Sequence, residues 1–266
     1  MSKILILTSG YYYKDWVGPY YPENTPSNDY LKLYQRDFKA VELNFSYYTQ
    51  PKADMLKRMV SGTGEDFLFS IKAHQSLTHE IDDAGFQKNA DVYKMGIEPL
   101  VSAGRLAAVL FQFPYSYHYT DDNRRYLDCI HKSLKDLPLA FEFRNAQWIT
   151  DSLIQGLTER GIAFVNVDEP DLNNLIKPSA YVTSNLGYIR FHGRNKENWW
   201  SGNNTSRYDY LYSEDELKPW VGKIIEMVQK VKILLIAFNN HYKGQAVKNA
   251  LQLKKLIQEA GFENVA

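Results

Sequence analysis

Four charged residues lie inside short apolar segments of the chain, close to the carboxyl end of each segment. They are Glu42, Lys72, Glu142 and Arg190. Moving an isolated charge into apolar surroundings is costly, so a buried charge is normally paired or functional. The pattern therefore indicates either a network of ion pairs that stabilises the fold or a site that acts on a charged ligand. In the second case Glu42 and Glu142 are candidates for general acid and base catalysis.

Further polar residues end the same segments or follow them directly. The predicted ligand-binding residues are Asn44, Lys72, Gln112, Arg144, Asp168, Arg190, Arg194, Asn239 and Asn240. A spacing of two places side chains on one face of a strand, which groups Arg190, His192 and Arg194. Guanidinium groups bind phosphate oxygens through two parallel hydrogen bonds, so the arginines favour an anionic ligand. His79 and His192 are candidates for a catalytic acid or an oxyanion donor.

Eight apolar segments of strand length recur along the chain, with helical stretches between them. They are residues 4–8, 40–44, 67–73, 107–113, 139–143, 162–167, 187–192 and 233–239. Most are continuously apolar, as is typical of parallel strands covered on both faces. Eight strands alternating with helices in ~250 residues predict an α/β fold, an irregular TIM-like (β/α)8 barrel with parallel strands. We expect residues 1–266 to form this one domain.

An open, doubly wound sheet is the alternative fold. That fold usually has a glycine-rich phosphate turn after its first strand, whereas residues 8–12 contain one glycine. In the barrel, all parallel strands end at one mouth, where the chemistry of this fold takes place. The polar residues at the strand ends are therefore expected to meet there.

Amphipathic or capped stretches between the strands predict the helices. They cover residues 29–38, 52–60, 121–137, 152–160, 215–231 and 245–260. Thr150 is expected to cap one helix, and the residues from Ser213 to Glu216 resemble a capping box. Residues 168–186 contain Asp-Glu-Pro-Asp and Lys-Pro and are predicted to form a loop.

Aromatic residues follow the same strand ends. Twenty tyrosines raise the aromatic share to 14%, and thirteen of them cluster after the first, second, fourth and seventh strands. Aromatic faces around a polar mouth suit a sugar ring or a nucleobase, and Tyr12 and Tyr48 are predicted to contact the ligand. The alternative is that large loops use these rings to build small cores of their own.

The charge balance argues against a strongly charged partner. Thirty-one Lys and Arg residues match 31 Asp and Glu residues among 266, so the formal net charge is zero. Nucleic acid is therefore a possible partner that the net charge does not indicate, and no membrane partner is expected. A single cysteine, Cys129, and a beginning too short and too polar for a signal peptide predict a cytoplasmic protein.

Several short motifs follow one another in a fixed order along nearly the whole chain. They are Thr8-Ser9-Gly10-Tyr11-Tyr12, Val41-Glu42-Leu43-Asn44, Phe69-Ser70-Ile71-Lys72-Ala73, Leu110-Phe111-Gln112-Phe113-Pro114, Phe141-Glu142-Phe143-Arg144, Ile189-Arg190-Phe191-His192-Gly193-Arg194 and Phe238-Asn239-Asn240-His241. In content and order they resemble the YecE-like family, catalogued as domain of unknown function 72. The resemblance implies a TIM-barrel-like fold and no established activity. The chain departs from the family pattern at Tyr11, Tyr115 and Asn145, where Trp, Pro and His are common.

These observations predict a barrel protein that binds and processes, in a hydrolase-like reaction, a phosphate-bearing small molecule at the carboxyl face. The ligand classes considered are a sugar phosphate, a nucleotide and a nucleic-acid end. On this hypothesis Arg190→Ala weakens phosphate binding and leaves the fold intact. No cofactor is expected, and a divalent metal ion is left open.

Three alternative functions remain. The first is a glycosidase-like enzyme that uses Glu42 and Glu142 as its carboxylate pair. The second is a metal-dependent phosphodiesterase, with ligands drawn from His79, His192, His241, Glu42, Glu142 and Asp168. The third is a ligand-binding module without chemistry. A Schiff base on Lys72 is also conceivable, although a lysine beside arginines and glutamates is more often a member of an ion pair.

Overall fold

Eight parallel strands form a nearly closed barrel in the computed structural model, which describes residues 2–82 and 84–266. The strands are β1 (Lys3–Thr8), β2 (Ala40–Leu43), β3 (Leu68–Lys72), β4 (Leu106–Gln112), β5 (Leu139–Glu142), β6 (Ala163–Asp168), β7 (Leu186–Phe191) and β8 (Ile233–Phe238). Neighbouring strands pair in the order β1-β8-β7-β6-β5-β4-β3-β2. A parallel bridge between Ser9 and Glu42 joins the two ends of this order. The predicted barrel is confirmed, and every predicted strand is found within one residue of its expected bounds.

Helices connect the strands. They are α1 (Tyr30–Tyr34), α2 (Phe45–Tyr48), α3 (Ala53–Ser61), α4 (Phe86–Ser102), α5 (Asp121–Leu134), α6 (Asp151–Arg160), α7 (Asn204–Arg207), α8 (Glu214–Val228) and α9 (Gln245–Glu259). The six predicted helices are confirmed, although α1 is shorter than residues 29–38 and α5 and α8 each end three residues before the predicted end. Residues 169–185 contain neither helix nor strand, as predicted. Within the described part of the chain, no helix combines the length and apolar character needed to cross a membrane.

Helix α4 is the long element that the sequence patterns above do not include. Its apolar positions are interrupted by Gly96 and Pro99. The glycine is required by packing, because a Cβ atom on Gly96 would lie 2.2 Å from the carbonyl oxygen of Pro51. A close approach between this helix and the chain before α3 thus explains a residue that weakens the helical pattern.

Many loop aromatics are buried and build small cores around the mouth of the barrel. Trp16 and Trp148 are fully buried, and their indole N–H groups donate to the carbonyl oxygens of His241 at 2.7 Å and Tyr117 at 2.6 Å. Trp148 also stacks on Tyr117, with ring centroids 5.3 Å apart. For these residues the small-core interpretation is correct. Their packing fixes the loops that carry the polar residues of the mouth.

The capping box predicted at α8 is present, and its removal is expected to destabilise the protein modestly. The hydroxyl of Ser213 accepts from the backbone N–H of Glu216, and the Glu216 carboxylate accepts from the backbone N–H of Ser213. Ser213→Ala should lower the free energy of unfolding by ~1 kcal/mol, as measured by urea denaturation. Ser152→Ala, at an exposed position inside α6, is the matched control. Equal effects of the two substitutions would show that the cap contributes nothing specific.

Candidate functional site

A charged network centred on Arg190 occupies the barrel interior near the carboxyl ends of the strands. The Arg190 guanidinium donates to both oxygens of Glu42, from Nε at 2.9 Å and from Nη2 at 2.6 Å. Its Nη1 donates to Glu142 at 2.6 Å, and the Tyr188 hydroxyl donates to Glu42 at 2.6 Å. Glu42 and Glu142 are fully buried, and Arg190 is 2% exposed. Because these residues come from β2, β5 and β7, the network ties distant strands together.

Arg144 extends this network toward the mouth of the barrel. Its Nε lies 2.8 Å from a carboxylate oxygen of Glu142, and its Nη1 donates to Glu169 at 3.1 Å. The ring of His192 lies beside them, with Nε2 3.2 Å from Glu142 and Nδ1 3.1 Å from the amide nitrogen of Asn239. Two buried carboxylates therefore hold the Arg144 guanidinium in place.

The network determines which groups carry charge. Burial opposes ionisation of Glu42 and Glu142, but the Arg190 guanidinium outweighs it and holds the pKa of both carboxyls below the ordinary value. Burial and the neighbouring Arg144 lower the pKa of His192 to about 3, so its ring is neutral at pH 7. Burial raises the pKa of Glu169 to about 7. Neither Glu42 nor Glu142 therefore holds a proton that it could donate at neutral pH.

A cavity of about 500 Å³ adjoins this network at the mouth of the barrel. Its wall consists of Tyr13, Asn44, Tyr47, Tyr48, Lys72, His79, Gln112, Arg144, Arg190, Arg207, Tyr208, Asn239 and His241. Four of these residues are lysine or arginine, and among the described residues no carboxylate lines the cavity. The cavity therefore presents a basic wall, with the acidic residues of the network behind it.

Two of the four cations form no ion pair within the described part of the chain. The Lys72 ammonium group donates to Gln112 Oε1 at 2.8 Å and lies 4.3 Å from the ring centroid of Tyr47. Arg207 Nε is buried and has no hydrogen-bond partner among the described residues. Burial and the charge of Arg190 lower the pKa of Lys72 to about 7. Both side chains thus offer donors that a ligand can engage.

His79 lies on the same wall as Lys72. Its ring packs edge to face against Tyr47, with centroids 4.9 Å apart, and its Nδ1 lies 2.9 Å from the Thr78 hydroxyl. Burial and the nearby charge of Lys72 lower the pKa of His79 to about 4. The imidazole is therefore neutral at pH 7, and the lowered pKa makes it a weak base.

An aromatic space of about 340 Å³ adjoins the cavity and shares six of its wall residues. Its remaining wall contains Pro114, Tyr115, Leu175, Trp199 and Trp200. Trp200 is 54% exposed, and its ring lies edge to face with that of Tyr115 at a centroid distance of 4.9 Å. The basic cavity and the aromatic space together form one continuous depression, which we call the cleft.

Eight of the predicted site residues lie together on the cavity wall. They are Asn44, Tyr48, Lys72, His79, Gln112, Arg144, Arg190 and Asn239. Glu42, Glu142 and His192 lie behind this wall in the buried network. Tyr12, Asp168, Arg194 and Asn240 do not line the cavity.

Asp168 and Arg194 pair with each other outside the cavity. Arg194 donates to the two oxygens of Asp168 at 2.8 and 2.6 Å, and Trp220 Nε1 donates to the same carboxylate at 2.8 Å. The expectation that Arg194 shares a face with Arg190 is wrong, because the chain turns at Gly193, where φ is +87°. The Asp168–Arg194 pair instead joins the end of β6 to helix α8.

Asn240 and Tyr12 also make contacts away from the cavity. The Asn240 amide donates to the carbonyl oxygen of Tyr210 at 2.8 Å and to Asn249 Oδ1 at 2.9 Å. It thereby holds the segment after β8 against α9. Tyr12 is 55% exposed and packs edge to face against Tyr11.

Sequence reasoning missed two residues that matter to the charge of the cleft. Glu169 pairs with Arg144. From the sequence, its neighbour Asp168 is predicted instead, because Asp168 lies at the end of the strand. Both positions carried the same signal, an acidic residue at the end of an apolar segment. Arg207 belongs to the four-residue helix α7 in the irregular loop after β7. No periodicity or apolar context in the sequence indicates where such a residue lies.

The described residues of the cleft include no cluster of side chains suited to a metal ion. Among residues 2–82 and 84–266, no three His, Cys, Asp or Glu side chains come together as a metal-binding group. The ligands considered for the phosphodiesterase alternative are dispersed, since Asp168 pairs with Arg194 and the His241 ring stacks on Tyr13 at 4.6 Å.

Comparison with known proteins gives the family of the chain. The family model described as protein of unknown function DUF72 matches residues 5–265. The UPF0759 protein YunF of Bacillus subtilis is 32% identical in an alignment of length 252 that covers 89% of this chain and 89% of YunF. A crystal structure of a DUF72 family protein from Thermotoga maritima is 39% identical, covers 96% of this chain and 99% of its own, and superimposes with a TM-score of 0.90.

More distant structures share the fold. A DUF72 family protein from Enterococcus faecalis is 27% identical over 96% of this chain and 95% of its own, with a TM-score of 0.86. D-psicose 3-epimerase from Clostridium cellulolyticum is 11% identical over 96% of both chains, with a TM-score of 0.51, which shows a common barrel and no more. As its sequence motifs predict, the chain belongs to the DUF72 family.

Proposed function

We propose that the cavity binds the phosphate group of a small anionic ligand. The observation that carries this proposal is the presence of two cations, Lys72 and Arg207, that line the cavity without a carboxylate partner among the described residues. Phosphate oxygens form strong charge-assisted hydrogen bonds with such groups. Arg144 adds a guanidinium that Glu142 and Glu169 already hold in place, so that it needs little reordering to bind.

The aromatic space suits the rest of the ligand. A sugar ring or a nucleobase bound there can contact the exposed face of Trp200 and the ring of Tyr115 while its phosphate reaches the basic wall. Stacking on aromatic rings contributes ~1–3 kcal/mol per base in nucleic-acid complexes. The proposed ligand class therefore comprises sugar phosphates, nucleotides and the phosphorylated ends of nucleic acids.

The geometry does not favour glycoside hydrolysis by Glu42 and Glu142. A catalytic carboxylate pair must leave room for the glycosidic oxygen or for a water molecule between the two groups. Here the Arg190 guanidinium fills that position and donates to both carboxylates. Chemistry on the bound ligand therefore falls to groups that reach the cavity, chiefly Lys72 and His79.

Thermal unfolding in the presence of candidate ligands tests the proposal. Phosphate, sugar phosphates, nucleotides and a short oligonucleotide are compared with chloride at matched ionic strength. A ligand that binds only the folded state stabilises it by ~2.7 kcal/mol at about 100 times its dissociation constant. We expect a phosphate-specific rise in the melting temperature that chloride does not give and that a chelator does not remove.

Arg207→Met is the variant that connects this rise with the cavity. Loss of one charge-assisted contact costs ~1.5–3 kcal/mol, so the affinity for phosphate should fall roughly 10- to 100-fold. Arg36→Met removes an exposed arginine outside the cavity wall and is the matched control. The proposal is wrong if phosphate acts no better than chloride, or if both variants keep the affinity of the unchanged protein.

A further inference from the structure

Lys72 is placed differently from an ordinary phosphate-binding lysine. It ends strand β3, its side chain is only partly exposed, and its ammonium nitrogen faces the cavity. Its hydrogen-bond acceptor is the neutral amide of Gln112 at 2.8 Å, and the face of Tyr47 lies 4.3 Å away. The expectation from sequence, that this lysine belongs to an ion pair, does not hold within the described residues.

We propose that Lys72 bonds covalently to the ligand, by forming an imine between its Nζ atom and an aldehyde or ketone carbon of a phosphate-bearing molecule in the cavity. This inference rests on the proposed function and narrows its ligand class. Nucleotides and nucleic-acid ends offer no carbonyl carbon of this kind. Sugar phosphates in their open-chain form have one, as do other phosphorylated aldehydes and ketones.

The step balances without a further reactant. The lone pair of the uncharged amine attacks the carbonyl carbon, and a C–N bond forms while the carbonyl π bond opens. Loss of the oxygen as water, with the two hydrogens of the amine, completes the C=N bond. The neutral ring of His79 lies on the same wall and can hydrogen-bond to the carbonyl oxygen or to the amine during these stages, although its pKa of about 4 makes it a weak base.

The surroundings of Lys72 favour the uncharged amine that this reaction needs. Burial and the positive charges of Arg190 and Arg144 act against protonation, while Glu142 and Glu42 partly oppose them, and the pKa of Lys72 falls to about 7. At pH 7 about half of the amine is then unprotonated, against ~0.04% for a lysine with an ordinary pKa of ~10.4. Enzymes that use a lysine as nucleophile activate it by desolvation and nearby cations in the same way.

Reductive trapping with two probes tests the inference on the full chain. Formaldehyde with cyanoborohydride reports the reactivity of each amine and needs no anion site. Pyridoxal 5′-phosphate, used with borohydride, carries a phosphate group as well as an aldehyde. Its labelling rate therefore also depends on anion binding in the cavity. Peptide mapping by mass spectrometry gives the labelling rate of Lys72 and of Lys57, an exposed lysine on α3 that serves as the internal control.

At pH 7 we expect both probes to label Lys72 at least tenfold faster than Lys57. Inorganic phosphate should slow labelling by pyridoxal 5′-phosphate, because the two compete for the anion site. It should slow labelling by formaldehyde less, and only because a bound anion favours the protonated amine. Gln112→Glu places a carboxylate beside the ammonium group, so it should move the pH at which Lys72 becomes reactive upward.

The outcomes separate the two proposals. If neither probe labels Lys72 faster than Lys57, the imine is overturned. Phosphate binding is tested separately by the thermal unfolding experiment, whose result does not depend on the imine. Fast labelling by formaldehyde without any effect of phosphate on pyridoxal 5′-phosphate supports the reactive amine and overturns the anion site. Fast labelling by both probes, with competition by phosphate, supports both.

Discussion

Replacing Arg190 by methionine is expected to lower the free energy of unfolding by ~3–5 kcal/mol, because two fully buried carboxylates lose the group that neutralises them. Glu42 would keep neutral donors such as the Tyr188 hydroxyl, and Glu142 would keep Arg144. From the sequence, Arg190→Ala is expected to leave the fold intact, whereas these buried ion pairs lead us to expect a loss of stability. Urea denaturation at constant ionic strength measures the loss.

Two further variants show whether charge is the cause. Arg124→Met breaks an exposed ion pair with Asp121, so it should cost at most about 1 kcal/mol. In the background of Arg190→Met, changing Glu42 and Glu142 to glutamine removes the uncompensated charges and should recover part of the lost stability. A triple variant no more stable than Arg190→Met would attribute the loss to packing.

The pH dependence of stability should differ in sign between the two proteins. In the unchanged protein the folded-state pKa of Glu42 and of Glu142 is lowered, so their stabilisation is present above ~4.3 and is lost as pH falls through the lower folded values. In Arg190→Met, Glu42 loses its ion-pair partner and burial raises its folded-state pKa, whereas Glu142 keeps Arg144. The destabilisation that comes from Glu42 therefore shrinks as the pH falls. Parallel profiles would contradict an electrostatic role for Arg190.

The strands of the barrel could be predicted from the sequence because each is a continuous apolar run between polar residues. Residues 233–239, for example, bury every side chain from Leu234 to Phe238, as a strand covered on both faces must. Helix α4 gives no comparable pattern, since Gly96 and Pro99 interrupt it for reasons of packing against Pro51. Local patterns therefore predict an element unless a distant contact determines its residues.

The site was only partly predictable for a similar reason. Parallel strands bring their carboxyl ends together, so charged residues such as Lys72 and Arg190 could be expected at one mouth. Which of them face the cavity depends on side-chain geometry, and a single turn at Gly193 directs Arg194 away from it. Arg207 comes from a loop without periodicity, so only the tertiary structure shows that it lies on the cavity wall.

Sulfate binding is expected to weaken about tenfold from about pH 6 to about pH 8, because Lys72 loses its proton in this range. Sulfate is the probe because its charge does not change between these values, whereas inorganic phosphate gains a charge. The protonated amine is the form that attracts the anion, so affinity is highest below the pKa of about 7 and falls as the pH rises through it. His79 and His192, with pKa values of about 4 and about 3, remain neutral throughout. Isothermal titration calorimetry at matched ionic strength measures the affinities.

Three variants assign this dependence to one group. Lys72→Arg keeps its charge at every pH used, so its affinity should stay level, and Lys72→Met should bind weakly and equally at both values. Glu169 also titrates near pH 7, and its ionisation beside Arg144 would weaken anion binding in the same direction. Glu169→Gln removes that contribution and should keep most of the slope. If the pH dependence of sulfate affinity persists in Lys72→Arg and disappears in Glu169→Gln, the titrating group is Glu169. Lys72 would then be charged at neutral pH and unable to act as a nucleophile.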